Sequence, residues 1–325
     1  MAAAPPSGQP RRHHSLALSA RPGRAQCDGP HRRCLEMTLP FMVPVSLFPA
    51  EHRWLDFRGA RIHYVDEGTG DTLLLLHGNP SWSFLYRKII MCLKDDYRCV
   101  APDYPGYGMS QAPDGYRYTP QEHSRFLEQF VDTLGLTRLT VMVQDWGGPI
   151  GFALAGRRPE LIRAFVVGNT FAWRLDGDPR VALFSRVMGG FIGHSLTWAF
   201  NFVPRFFFRR GLARPVAPEV RRLYLAPWRP RSRRKAAVIA PRQLTAASEF
   251  LAEVEHMVIT RLATKPALVV WGTKDFAFGD QERRRFEQIF STHRTVLYDN
   301  ASHFLQEDAG ELIAEEMARF LAELP

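Results

Sequence analysis

The chain has 325 residues, 46% of them hydrophobic and 12% aromatic, enough to bury a sizeable core. That excludes a disordered chain and a disulfide-built miniprotein. Cys27, Cys34, Cys92 and Cys99 are too few and too scattered for a disulfide framework and form no CxxC zinc pair, so a reducing, cytoplasmic compartment is expected. The net charge of +9 sits in two places. Residues 1–36 carry six arginines against Asp28 and Glu36, and residues 205–242 carry eleven arginines and Lys235 against Glu219 alone. The rest of the chain is net acidic. No recognition motif or interleaved aromatic pattern accompanies the basic segment, so no nucleic-acid partner is expected.

Residues 1–36 are rich in Ala, Pro, Gly, Ser and Arg without helical or strand periodicity, and are expected to be a disordered extension; the alternative is that translation begins at Met37 or Met42. Trp54–Val65 reads as two short strands around a Gly59 turn. Leu73–Leu76 is an all-apolar run suited to a central parallel strand. A helix over 82–94 and a strand over Arg98–Ala101 follow. Thr119-Pro120, with Glu122 in the first turn, opens a helix over 120–134. A strand at Leu139–Val143 leads into a helix over 147–156, and Ala164–Val167 is the next strand. Ala267–Trp271 and Thr295–Tyr298 complete the strands, before a helix over 308–322. Strands alternating with helices predict a mostly parallel α/β sheet. Between 173 and 245 the alternation stops, and an aromatic, arginine-rich helical cap is expected. The expected organisation is therefore extension 1–36, core 37–172, cap 173–245 and core 246–325. Val187–Val203 is uncharged but interrupted by His194, Ser195 and Asn201 and too short to span, so no membrane partner is expected.

The most informative stretch is Val143-Gln144-Asp145-Trp146-Gly147-Gly148. A β-branched strand runs into an aspartate, and glycines follow at once, as in a nucleophile elbow that presents one side chain on a sharp strand-to-helix turn. Alone, Asp145 also suits a simple helix N-cap. Three further sites fall at strand ends: His77-Gly78-Asn79-Pro80, Asp275 and His303. The C-terminal edge of an open α/β sheet is where ligands bind, and the order nucleophile, acid, base is that of a hydrolase triad.

With Asp103–Ser110, Trp271–Asp275 and Ser302-His303-Phe304 added to these motifs, the chain from Trp54 to Leu324 resembles the α/β-hydrolase fold and, within it, the haloalkane dehalogenases. The resemblance implies Asp145 as nucleophile, His303 as general base and Asp275 as the acid orienting it, with Asn79 and Trp146 as the halide-binding pair. The strand before the cap ends Gly168-Asn169-Thr170-Phe171 without a carboxylate, which favours Asp275 as the acid. Residues 1–36 and the basic cap lie outside the family pattern.

An anionic carboxylate needs no base to attack a saturated carbon. Asp145 would displace halide and become an alkyl ester. The Asn79 amide and the Trp146 indole would stabilise the leaving halide, and water activated by His303 would hydrolyse the ester. The expected partners are a halogenated alkane and water, with no metal or organic cofactor and with self-association left open. Three other readings remain. An epoxide hydrolase uses similar machinery with cap tyrosines, of which 173–245 holds only Tyr224. A fluoroacetate-type enzyme needs arginines to clamp a substrate carboxylate. A non-enzymatic binding protein or scaffold would use the basic cap as its surface.

Overall fold

The computed structural model describes residues 40–324, and the extension expected to be disordered lies outside them. Eight strands form one sheet in the order β1-β2-β4-β3-β5-β6-β7-β8. β1 (His52–Phe57), β2 (Ala60–Glu67) and β4 (Arg98–Pro102) pair antiparallel, and all later pairings are parallel. β3 (Thr72–Leu76) and β5 (Leu139–Asp145) are buried along their whole length, as continuous apolar runs in a parallel sheet must be. Their cover comes from α1 (Arg87–Leu93), α2 (Pro120–Thr133), α3 (Gly147–Arg157), α9 (Ser248–Met257) and α11 (Leu305–Ala322), with α1 packed on α11 and α3 on both α2 and α9.

The strand order positions the site. β3 pairs with β4 on one side and with β5 on the other, so the winding direction reverses there and leaves a crevice at the strand ends. Leu76 stands opposite Val143 in the register, so the turn after β3 and the turn after β5 emerge side by side. β6 (Ile162–Thr170), β7 (Ala267–Gly272) and β8 (His293–Tyr298) extend the parallel sheet beyond β5.

The segment between β6 and α9 is helical: α4 (Pro179–Met188), α5 (Phe191–Phe200), α6 (Phe202–Arg210), α7 (Pro218–Leu225) and α8 (Lys235–Ala246). The uncharged stretch 187–203 is thus broken across three helices, and among the described residues no helix is long and apolar enough to cross a membrane.

Several expected boundaries shift. The helix over 82–94 is a 3-10 turn (Ser83–Tyr86) followed by α1. α11 begins at Leu305 rather than 308 and passes a non-helical Ala309. α9 and α10 (Asp280–Ile289) were not read from the sequence. α10 buries Phe286 alone, so its apolar periodicity is faint.

Candidate active site

Asp145 closes β5 with φ of +49°, a left-handed conformation costly for any residue with a Cβ. Two close approaches hold this bend. A Cβ on Gly78 would collide with the Asp145 carboxylate, and one on Gly147 with the backbone carbonyl of Leu76. Thr170 adds a hydrogen bond from its hydroxyl to the Asp145 carbonyl at 2.6 Å.

The two carboxylate oxygens have different surroundings. Oδ1 accepts the Asn79 backbone N–H at 2.6 Å, and the Trp146 backbone N–H also donates to the carboxylate. Oδ2 lies 3.7 Å from His303 Nε2, beyond a direct hydrogen bond. His303 is fully buried, and its Nδ1 meets Asp275 Oδ2 at 3.0 Å. Asp275 is further held by Asn169 Nδ2 on Oδ2 (2.8 Å) and by the Ala277 N–H on Oδ1 (2.8 Å). All three sequence-predicted triad members therefore meet, from the ends of β5, β7 and β8.

Burial pushes the Asp145 carboxyl pKa above its ordinary value, although the His303 charge and the N–H donors of Trp146 and Asn79 oppose it. For His303, burial disfavours the cation. The Asp275 charge and hydrogen bond, helped by Asp145, outweigh burial and raise the imidazole pKa.

Asp145, Asn79 and Trp146 line a cavity of about 310 Å³ under the cap. Its other walls are mostly apolar: Val181 and Phe184 from α4, Phe207 from α6, Pro241 and Leu244 from α8, and Phe276 and Phe278 after β7. Phe207, Phe276 and Phe278 also pack on the His303 ring, with centroids 6.3, 5.9 and 5.8 Å away. Among the described residues neither Asn79 Nδ2 nor Trp146 Nε1 has a protein acceptor, while Tyr107 donates its hydroxyl to Asn79 Oδ1 at 3.3 Å. Two N–H donors are thus left for a ligand in a mostly apolar space whose other charged lining residues are Asp178 and Arg180.

A profile of alpha/beta hydrolase fold proteins matches residues 71–310. "Haloalkane dehalogenase 2" of Mycobacterium tuberculosis is 43% identical over 279 residues, covering 86% of this chain and 97% of the relative. The chain belongs to the haloalkane dehalogenase family of α/β hydrolases. The crystal structure of the haloalkane dehalogenase DatA from Agrobacterium tumefaciens C58 superposes with a TM-score of 0.77 at 26% identity, covering 85% of this chain and 97% of that one. "Cis-3-alkyl-4-alkyloxetan-2-one decarboxylase" of Shewanella oneidensis is also similar, 30% identical over 86% of this chain and 90% of its own length.

In this dehalogenase-family chain two polar residues at the site escaped the sequence reading. Asn169 also bonds the Gly272 N–H (2.7 Å) and carbonyl (3.1 Å), tying the end of β6 to the end of β7. Gln144 Nε2 lies 3.2 Å from His303 Nε2 and 3.0 Å from the His303 carbonyl. Both are neutral amides beside readable motifs, and their positions at strand ends were the only signal. Of the arginines in 205–242 considered as a carboxylate clamp, none lines the cavity; Arg180 of α4 does.

Proposed function

We propose that the protein hydrolyses haloalkanes to alcohol and halide through an alkyl ester on Asp145. One observation carries the reading: the Asp145 carboxylate shares a mostly apolar cavity with two unclaimed N–H donors, with the His303–Asp275 pair directly behind it.

Oδ2, free of a strong hydrogen bond, attacks the halogen-bearing carbon. The carbon–halogen bond breaks with its electron pair leaving on the halide, which Asn79 Nδ2 and Trp146 Nε1 stabilise. Neither donor carries a charge, so the halide is not bound irreversibly. Alkylation removes the Asp145 charge, one of the influences that raises the His303 pKa, so the imidazole becomes neutral more readily when a base is needed. His303 Nε2 then takes a proton from water, and the hydroxide adds to the carboxyl carbon. The oxyanion rests on the Asn79 backbone N–H that already holds Oδ1, with the Trp146 backbone N–H beside it. The ester C–O bond breaks, the alkoxide takes the new hydroxyl proton, Asp145 returns to its carboxylate and His303 releases its proton to solvent. Asp145 must be ionised and His303 neutral, so activity is lost as the pH falls.

The test is His303→Phe incubated with 1,2-dibromoethane. Hydrolysis stops, and intact mass rises by one alkyl group that peptide mapping places on Asp145. An unmodified Asp145 refutes the reading.

Epoxide hydrolysis is disfavoured because Tyr224 is committed elsewhere. Its hydroxyl bonds Glu307 Oε2 at 2.7 Å, and it is not among the cavity-lining residues. The name of the Shewanella relative supplies a second reading, a disubstituted oxetan-2-one as substrate, and a cavity of about 310 Å³ leaves room for more than a two-carbon haloalkane. A panel of bromoalkanes, styrene oxide and a cis-3,4-dialkyloxetan-2-one separates the three by bromide, diol and carbon dioxide release.

A further inference from the structure

The outer surface of the cap is apolar where a soluble domain is normally polar. Phe191 is 87% exposed, Phe200 67%, Ile192 62% and Leu183 62%, and Leu196, Trp198 and Val187 are exposed beside them. On α5, Gly193 and Thr197 face inward, while Ile192, Leu196 and Phe200 form an i, i+4, i+8 stripe facing out. Scattered exposed apolar residues are ordinary, but a contiguous stripe marks an interaction surface.

Cations border this stripe. A groove of about 400 Å³ at the C-terminal end of α5 is lined by Arg205, Arg222, Arg229 and Arg234 together with Phe200 and Leu225. Arg231 lies over the Trp198 ring at 4.6 Å. Arg234 is stapled to the carbonyls of Trp198, Trp228 and Arg229. Among the described residues no carboxylate pairs with Arg205, Arg222, Arg229, Arg231 or Arg234.

We propose that this face docks the protein on anionic phospholipid bilayers, with α5 lying in the headgroup plane and the arginine groove taking lipid phosphate. An amphipathic helix with aromatic and aliphatic residues on one side and arginines at its border is suited to that position. α5 has ten residues, about 15 Å at 1.5 Å per residue, half of the hydrocarbon thickness, so it lies on the membrane rather than crossing it. A second copy is a poorer occupant. A two-fold dimer through this face would bring two unneutralised arginine clusters together. Nucleic acid would meet the arginines but leave Leu183, Phe191 and Ile192 in water. The sequence reading expects no membrane partner and keeps an anionic membrane surface only as a non-enzymatic alternative for the basic cap; the exposed apolar face of α5 beside the arginines favours that alternative. α4 also carries Val181 and Phe184 on the wall of the catalytic cavity, so docking would set that wall close to the lipid.

The test is flotation of the full-length protein with vesicles of pure phosphatidylcholine or of equimolar phosphatidylcholine and phosphatidylglycerol, at low and high salt. Binding is expected only to the anionic vesicles and weakens with salt. Phe191→Asp/Ile192→Asp and Arg205→Glu/Arg222→Glu/Arg229→Glu, each checked by circular dichroism, are each expected to lower the partition coefficient at least about tenfold. The proposal is overturned by absence of flotation, by equal binding to neutral vesicles, or by either variant binding like the wild type. It is also overturned if the groove takes inorganic phosphate or single-stranded DNA while vesicles stay unbound, or if sedimentation shows a dimer that Phe191→Asp/Ile192→Asp dissociates.

Discussion

Asn169 and His303 converge on one oxygen of Asp275, the amide Nδ2 at 2.8 Å and the imidazole Nδ1 at 3.0 Å. Asp275 is therefore held from the end of β6 and from the segment after β8, and the imidazole bonded to it is fixed in turn. A carboxylate buried with fewer donors would be costlier to keep ionised.

Asn169→Ala removes a hydrogen bond to a charged group, worth about 1.5–3 kcal/mol, and lets Asp275 move. The expected result is slower ester hydrolysis with alkylation largely kept. Rapid-quench mass spectrometry should show the alkyl-enzyme accumulating in the variant but not in the wild type.

Asn79→Ala and Trp146→Phe each delete one of the two unclaimed donors in the cavity. Each is expected to slow carbon–halogen cleavage by about 1.5–3 kcal/mol, the scale of a hydrogen bond to an ion. Single-turnover bromide release measures this, and product inhibition by chloride should weaken in parallel. Unchanged inhibition in both variants would remove the pair from the halide site.

His123 is buried with its Nδ1 at 3.0 Å from the Tyr116 hydroxyl, and burial, with the neighbouring His77 charge, pushes its pKa down to about 3. The unfolded imidazole titrates near about 6.5. Between these values the unfolded chain takes a proton that the folded one refuses, so stability falls as the pH drops below about 6.5. At pH 5 the loss from this group is about 2 kcal/mol. Urea unfolding at pH 7 and pH 5 should show a smaller difference for His123→Gln than for the wild type.

Arg87 and Glu307 form a buried bidentate pair (2.6 and 2.7 Å) that also receives the Tyr224 hydroxyl, joining α7 of the cap to α1 and α11 of the core. Glu307→Ala strands a buried guanidinium and is expected to cost about 3–5 kcal/mol. Equilibrium denaturation measures it, and a cost under about 1 kcal/mol would mean that solvent reaches Arg87 freely.

The catalytic candidates were legible because each sits in a local pattern. Asp145 follows a β-branched strand and precedes two glycines, and His77–Pro80 follows four leucines. Asn169 and Gln144 were not legible: a neutral amide has no titration or charge signature, and Gln144 meets its partner His303 from 159 residues away. The apolar stretch 187–203 suits in sequence a cap lining a substrate pocket, yet none of it lines the cavity at Asp145 and much of it is exposed, since hydrophobicity alone does not say which side will be covered.

Residue order alone was enough to dictate the alternation of strands and helices, the sharp turn at Asp145 and the choice of candidate reacting groups, because backbone stereochemistry and residue chemistry act over a few neighbours. It took the folded chain to establish that Oδ1 accepts the Asn79 N–H while Oδ2 faces the imidazole, that Tyr224 is tied to Glu307, and that Phe191 and Ile192 face water. Those outcomes depend on packing between segments far apart in the chain.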